Sequence, residues 1–552
     1  MSQEQQPVYN NTTTTAIENG DKKDNKLIIL ETQEERRDRM WSLRIVYFTM
    51  FLVSLAFSVV LTGVWPLLDR LDPHAGKEFM GLIVAANPLG QMLFSPIFGY
   101  WSNKMKSIRL PLIASMAIFC IASGVYSVLD IFPTSTVKWW MFFARFFVGV
   151  SSANIAVCRS YLSAATTLKE RTDSVSMMSL AQVLGFVFGP ALQAAVTPLG
   201  SDGFIFQGLV INMYTAAGWI NVLLGAINLV LFFPYFFKDR RVAAKEQMII
   251  QGKQTEKETY KSVKIDYTTA WTLILSFFVI VFNFVLLETI GSSLTMDQFA
   301  WSKGEALYYV GILMSVGAFI ACLAFCLISP LTKRFKEADL LIWGGFFFMV
   351  IGRLVFIPYR GDIPKLAVDR EYKMENGTIA FYDEDDPIVL GCPVNSQPWC
   401  ATTLQLQFPE FLFGFVISTI GYPIGVTLIQ TIFSKVLGSR PQGTWMGLFT
   451  GAGCVSRIFG PLAVGSLYTR YGTTWTFTIT CLMMFLPMIW LYLLRDRLAI
   501  EEVDIKTIEM RNLNGNSTKI QNGTNGLIKD KTVIINENET NDEQEKFISN
   551  GR

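Results

Sequence analysis

Six ionisable side chains interrupt long apolar runs of this 552-residue chain: Arg145, Arg159, Glu288, Arg353, Glu410 and Arg457. A charge in hydrocarbon is costly, so by default such a residue faces protein or water and marks a path for ions or solutes. A guanidinium there can hold an anion or repel a cation, and a carboxylate there can carry a proton. Four arginines against two glutamates tilt the set toward anions. Arg457 is the foremost candidate, because Gly453, Ser456 and Gly460 around it permit close helix approach or a cavity. It either handles an anion or pairs structurally across the bundle. Arg145 leads into Phe146-Phe147-Val148-Gly149 and then Ser151, Ser152 and Asn154, a polar stripe that either lines a cavity or packs. Arg159 either faces the pathway or snorkels to the nearby interface. Arg353 lies well inside its own apolar run. Glu288, followed by Thr289, Ser292, Ser293 and Asp297, either couples transport to protons or builds a gate. Glu410 follows Pro409 and marks the start of a segment. Asn87 precedes Pro88 in an apolar run, where it can bond between helices while the proline bends its own.

The elements that must position these groups are membrane spans. Only 17% of the residues are Asp, Glu, Lys or Arg and 51% are apolar, against about 25% charged in soluble domains. Twelve apolar segments are expected near 42–66, 79–101, 110–131, 138–160, 175–198, 213–237, 268–292, 304–328, 338–359, 403–431, 444–468 and 474–494. Each is long enough to cross about 30 Å of hydrocarbon as a helix, the one open form that satisfies its own backbone there. A repeat divides them. Ser95-Pro96 recurs as Ser329-Pro330, and Gly189-Pro190 as Gly460-Pro461, the second pair more widely spaced because a long loop, 360–402, intervenes. The expected fold is therefore all-α and transmembrane, with twelve helices in two six-helix halves, 41–237 and 267–494, joined by a linker at 238–266. The polar ends, 1–40 and 495–552, read as disordered tails.

Basic residues set the expected orientation. Lys104, Lys106, Arg109, Lys169, Arg171, Lys333, Arg334, Lys336, Lys435 and Arg440 share one side with the Lys-rich linker. By the positive-inside bias both termini are cytosolic. The loop 360–402 then faces a lumen or the exterior. It carries the sequon Asn376-Gly377-Thr378, an acidic run at 383–386, and Cys392 and Cys400, which either form a disulfide or remain two thiols. The polar start has no early apolar region, so no cleavable signal is expected and the first span acts as a retained anchor. A single histidine, His74, and eight scattered cysteines give no metal spacing, and no cofactor is implied. The net charge of +2, with its basic residues beside membrane segments, gives no reason to expect nucleic acid. GxxxxGK[ST], HExxH and GxSxG patterns are absent, so neither ATP-driven pumping nor hydrolytic catalysis is supported.

Several stretches together carry a family likeness: Gly90-Gln91-Met92 with Ser95-Pro96-Ile97-Phe98-Gly99, Val157-Cys158-Arg159-Ser160-Tyr161, Leu184-Gly185-Phe186, Gly421-Tyr422-Pro423 and Arg457-Ile458-Phe459-Gly460-Pro461. Over about residues 40–494 the chain resembles the major facilitator superfamily, and within it lysosomal members. The resemblance implies the major-facilitator fold and alternating access. Its loop motif between spans two and three maps onto Gly99 and Lys104, with Asn103 where an Asp is usual. That substitution puts the family's inter-half latch in question. Arg145 with Gly149 matches the span-four motif, and Gly185, Gly189 and Pro190 match part of a span-five motif. The likeness further implies an N-glycosylated protein of the late endosomal or lysosomal membrane that conducts or carries a small anion such as chloride. The alternatives are a proton-coupled carrier of an organic solute, and a non-transporting scaffold or receptor. An adaptor-read sorting signal would map onto Asp24 with Ile28 and Ile29, isoleucines standing where leucines are usual.

Overall fold

A computed structural model of the chain describes residues 30–72, 76–200, 203–206, 209–251, 255, 258, 265–368, 371–373, 379–381 and 388–498. Asp24, Ile28, Ile29, His74, Asn376 and the acidic run at 383–386 lie outside the described residues. The N-terminal helices are α1 (Gln33–Leu71), α2 (Gly76–Met105), α3 (Arg109–Ser127), α4 (Thr134–Ser152), α5 (Asn154–Ala165), α6 (Leu168–Val196) and α7 (Thr215–Leu231). A short helix, α8 (Ala243–Gln251), falls within the expected linker. The C-terminal helices are α9 (Tyr267–Phe299), α10 (Lys303–Thr332), α11 (Glu337–Val355, with a π turn at Leu340–Phe346), α12 (Phe408–Val436) and α13 (Gly443–Leu493). The chain folds as an all-α transmembrane protein, in which ten helices among the described residues are long and apolar enough to cross a membrane.

Helix α13 has 51 residues, about 75 Å at 1.5 Å per residue and twice what a bilayer needs. It reverses at Gly472, whose φ of 78° breaks the helical path at a value that favours glycine. Both termini of the described chain and the start of α13 thus lie on one face, here the tail side. The loop that follows α11 lies on the other, the loop side.

Helix α1 begins within the stretch expected to be a disordered tail. The Thr32 hydroxyl accepts from the Glu35 amide at 3.2 Å, and the Glu35 carboxylate accepts from the Thr32 amide at 3.0 Å, a capping box that satisfies two orphan donors. One turn on, Arg39 is buried, donating to Glu31 at 2.6 Å, Glu170 at 2.9 Å and the Ala165 carbonyl at 2.9 Å. Residues 30–40 therefore belong to the folded body, which corrects the expected boundary at 40.

The cores separate by helix set. Leu43, Val46, Leu112, Tyr161 and Phe237 centre a cluster drawn from residues before 238. Leu273, Ile280, Phe346, Leu428 and Met484 centre one whose buried members all follow residue 266. On the loop side, β1 (Phe204–Phe206) pairs antiparallel with β2 (Leu209–Ile211), placing Phe204 opposite Ile211. β3 (Leu366–Ala367) pairs parallel with β6 (Cys392–Pro393), and β4 (Glu371–Lys373) antiparallel with β5 (Ile379–Phe381). Cys392 and Cys400 are joined in a disulfide, and both are buried. Between them Trp399 donates its Nε1 to the Thr469 carbonyl at 3.2 Å and packs edge-on to Tyr468. Its ring fills the space that a side chain at Gly472 would need.

Candidate functional site

A cleft of about 850 Å³, its open mouth included, lies between the N-terminal and C-terminal helices. Several long helices contribute stripes spaced by three or four residues, the spacing that puts side chains on one helix face. Val53, Ser54 and Phe57 come from α1, Asn87 and Gln91 from α2, and Gln182, Val183 and Phe186 from α6. From the C-terminal side come Phe277 and Val281 of α9, Tyr422 and Val426 of α12, and Thr450, Gly453, Cys454 and Arg457 of α13.

Two guanidiniums face this cleft. That of Arg457 lies 5.5 Å from the Phe186 ring centroid and 5.8 Å from that of Phe57. That of Arg159 lies 5.7 Å from Phe277 and 5.5 Å from Phe449, and its Nη1 donates to the Thr450 hydroxyl at 3.0 Å. Arg159 is buried in the cleft wall and does not reach toward the interface. Its Nε and the Asn87 side-chain amide are buried donors with no hydrogen-bond partner among the described residues. Among the described residues neither arginine forms an ion pair within 4 Å. Glu288 is exposed, nearer the loop side, and its charge interacts with that of Arg457. The Tyr422 hydroxyl feels Arg457, Glu288 and Arg159 together. The cleft thus holds two cations cradled by aromatic faces and several neutral polar groups, and the Glu288 carboxylate, outside its lining, is within electrostatic reach of Arg457.

The other sequence candidates lie elsewhere. Arg353 is fully buried among the C-terminal helices, where its Nε donates to the Asn283 side-chain oxygen at 3.2 Å and its Nη2 to the Asn283 carbonyl. Arg145 is buried among the N-terminal helices, its guanidinium 5.8 Å from the centroid of the Phe57 ring. Glu410 occupies the first turn of α12. Gly189 lets α6 touch α1, since a side chain there would run into Ser58, and Gly185 four residues earlier does the same against Phe51. That is the small-xxx-small contact of membrane helices. Pro190 continues α6 without ending it.

The cleft is closed on the tail side. The Asn103 side-chain oxygen accepts from the Gly443 amide at 2.9 Å, and its amide donates to the Thr444 hydroxyl at 3.2 Å. Gly99 and Gly443 meet backbone to backbone, each occupying the space a side chain on the other would need. Arg171 donates to the Ser434 carbonyl at 3.3 Å. The Thr172 hydroxyl donates to Glu337, which also pairs with Lys435 at 3.0 Å. Lys104 is exposed and has no part in this contact. The neutral side chain of Asn103 therefore joins the two helix sets by capping the start of α13.

Thr450, Phe277 and Phe449 were not singled out from the sequence, and Tyr422 only as part of the family-like stretch Gly421-Tyr422-Pro423. The signal existed for Thr450, which lies seven residues before Arg457 with Gly453 and Cys454 between, one face of one helix over two turns. The aromatic residues gave none, because Phe is common throughout the spans.

A family model for the Major Facilitator Superfamily matches residues 46–361 and 396–520. Major facilitator superfamily domain-containing protein 8 of Xenopus laevis is 36% identical over 483 residues, 85% of this chain and 94% of that protein. Multidrug resistance protein 2 of Bacillus subtilis is 25% identical over 46% of this chain and 58% of its own length. Among solved structures, the human organic anion transporter MFSD10 superposes with a TM-score of 0.58 at 17% identity, covering 82% of this chain and 99% of that one. The transporter FucP in its outward conformation gives a TM-score of 0.57 at 13% identity over 83% of this chain and 99% of its own.

Proposed function

This chain belongs to the major facilitator superfamily, and from that premise we propose that it carries a small organic anion by alternating exposure of the central cleft. Membership makes it a multi-pass membrane protein of a transporter family, not an enzyme. The observation that carries the substrate class is the pair Arg159 and Arg457, both facing a cleft with aromatic walls and neither ion-paired among the described residues. Its aromatic and polar lining, drawn from both helix sets, offers an organic anion contacts that a bare chloride ion could not use. The tail-side latch favours a carrier that closes one end at a time over an open chloride pore. The organic anion transporter among the similar folds is consistent with this class.

The proposed organisation is two six-helix halves, 41–237 and 267–494, joined by the linker 238–266. Counting α13 as two passes about Gly472 and adding the shorter α7 to the ten long helices brings the spans to twelve. Both termini are proposed to be cytosolic, and the disulfide loop with Asn376 lumenal, in a late endosomal or lysosomal membrane reached through Asp24, Ile28 and Ile29. The basic residues of the tail side support that orientation. Glu288 is proposed to couple the carried anion to protons, its position beside Arg457 making the two charges interdependent.

Uptake of labelled organic anions into proteoliposomes tests the reading. Native protein should show saturable uptake, stimulated by unlabelled anion on the far side, and Arg457→Ala should weaken apparent affinity by about tenfold or more, the scale of a lost charged hydrogen bond. Glu288→Gln should flatten the dependence of uptake on pH. Folded native protein without organic-anion flux would overturn the proposal. Chloride flux would then favour a conductive pathway, and no flux of either kind a scaffold or receptor.

A further inference from the structure

Arg145 presents a problem that the central cleft does not solve. It is 1% exposed, and among the described residues its Nε and Nη2 have no hydrogen-bond partner. Among the described residues no carboxylate lies within ion-pair distance. A buried cation without a counter-charge or donors satisfied is strongly unfavourable. Arg353 makes a contrast: equally buried and, among the described residues, equally without a carboxylate, it places two of its three nitrogens on oxygens of Asn283, leaving only Nη1 without a partner among them. Nothing comparable is offered to Arg145.

What Arg145 does have is a cavity. It lies among α1, α3, α4 and α7, within the N-terminal helices, and is lined by Arg145 with Ser123, Tyr126 and Asn221 on a floor of Ala56 and Val60. Its free space accommodates about one water-sized sphere. The charge of Arg145 interacts with the Tyr126 hydroxyl. A positive group, a hydroxyl and an amide converging on a space of that size suit a single monatomic anion. A carboxylate-bearing organic anion is too large, and a water molecule fills the space while leaving the charge uncompensated.

We propose that the cavity at Arg145 binds one halide-sized anion inside the N-terminal helices, separate from the central cleft. The inference goes beyond the transport reading and does not rest on it. The two places are nonetheless joined by one ring. Phe57 has the Arg145 guanidinium 5.8 Å from its centroid, and the Arg457 guanidinium at the same distance. A cation is attracted to the negative face of a ring, so an anion that draws the Arg145 charge away from Phe57 changes what the ring offers Arg457. The bound ion would therefore tune the cleft without entering it.

The deciding experiment soaks or co-purifies the full-length protein with bromide and locates the ion by anomalous scattering. A peak at hydrogen-bond distance from the Arg145 guanidinium is expected. A water alone in that cavity, or bromide bound only elsewhere, overturns the proposal. Thermal unfolding gives a second measurement. Replacing gluconate by chloride should raise the midpoint of the native protein by about 2 °C or more. Tyr126→Phe should shrink that shift by removing one donor, and Arg145→Met should abolish it. A shift that survives Arg145→Met overturns the proposal. Arg457→Ala, by contrast, should weaken the apparent affinity of organic-anion uptake and keep the chloride-dependent shift, so failure of the transport reading and failure of this one are told apart.

Discussion

At the scale of single residues, the neighbours of each buried arginine decide its role. Arg353 is held by two oxygens of Asn283, and Arg159 shares its charge between two rings and Thr450. Thr450→Val removes one neutral acceptor from a charged donor, and should cost about 1.5–3 kcal/mol where that bond is fully formed. Uptake kinetics should show this as a weaker apparent affinity with little change in maximal rate. Arg353→Met should instead lower thermal stability and leave apparent affinity within about twofold, since its guanidinium does not face the cleft. Much of this was readable in the sequence, because ionisable residues in apolar runs are few and each had to be accounted for. What the sequence could not say was which arginine faced which space. Arg145 and Arg159 lie fourteen residues apart in successive helices, α4 and α5, yet one opens on the cleft and the other on a separate cavity.

At the scale of the helix, the close approaches fix the geometry. Gly189 lets α6 lie against Ser58 of α1. Gly189→Val should force those helices apart at a cost of about 1–3 kcal/mol, the range for overpacking, seen as a lower unfolding midpoint in detergent. Gly99→Val acts on a different contact. Its side chain would collide with Gly443, so it should hold the tail side open, which cysteine labelling at Thr444 would report as faster modification than in an otherwise native protein. The start of α9 gives a pH dependence. Asp266 caps that helix, and the hydrogen bond from the Thr269 hydroxyl, aided by backbone amides and Arg497, holds its carboxyl below the usual carboxylate range. A lowered pKa adds stability that is present above the unfolded value and is lost as pH falls through the folded one. Asp266→Asn should therefore reduce the difference in unfolding midpoint between neutral and acidic buffer. Helix existence was legible from length and hydropathy, whereas the early start of α1 was not, because the partner that buries Arg39 sits 131 residues away at Glu170.

At the scale of the whole molecule, hydrogen bonds join the two helix sets at one end, and a disulfide clasps a short loop at the other. Removing the clasp with Cys392→Ser and Cys400→Ser frees a short loop, whose closure is worth about 2–3 kcal/mol by chain entropy. Unfolding monitored with and without a reductant should show native protein losing stability on reduction and the double variant indifferent to it. Paired Ser-Pro and Gly-Pro steps suggested repeated halves, but the cleft was not visible in the sequence, since it is assembled from helices far apart in sequence.

The reversal at Gly472 has a mechanical consequence. With one residue turning the chain, the inner leg that carries Arg457 and the outer leg that follows have no slack between them. Trp399 wedges that pivot from the loop side, while the far end of the outer leg is tied to α9 through the bond from Trp490 to Thr272, 3.1 Å long. The two legs then act as a single lever with a fixed fulcrum, and a tilt of the inner leg during turnover drags the lipid-facing leg with it. Bilayer thickness and tension, which act on that outer surface, would feed back on the rate at which the cleft changes sides.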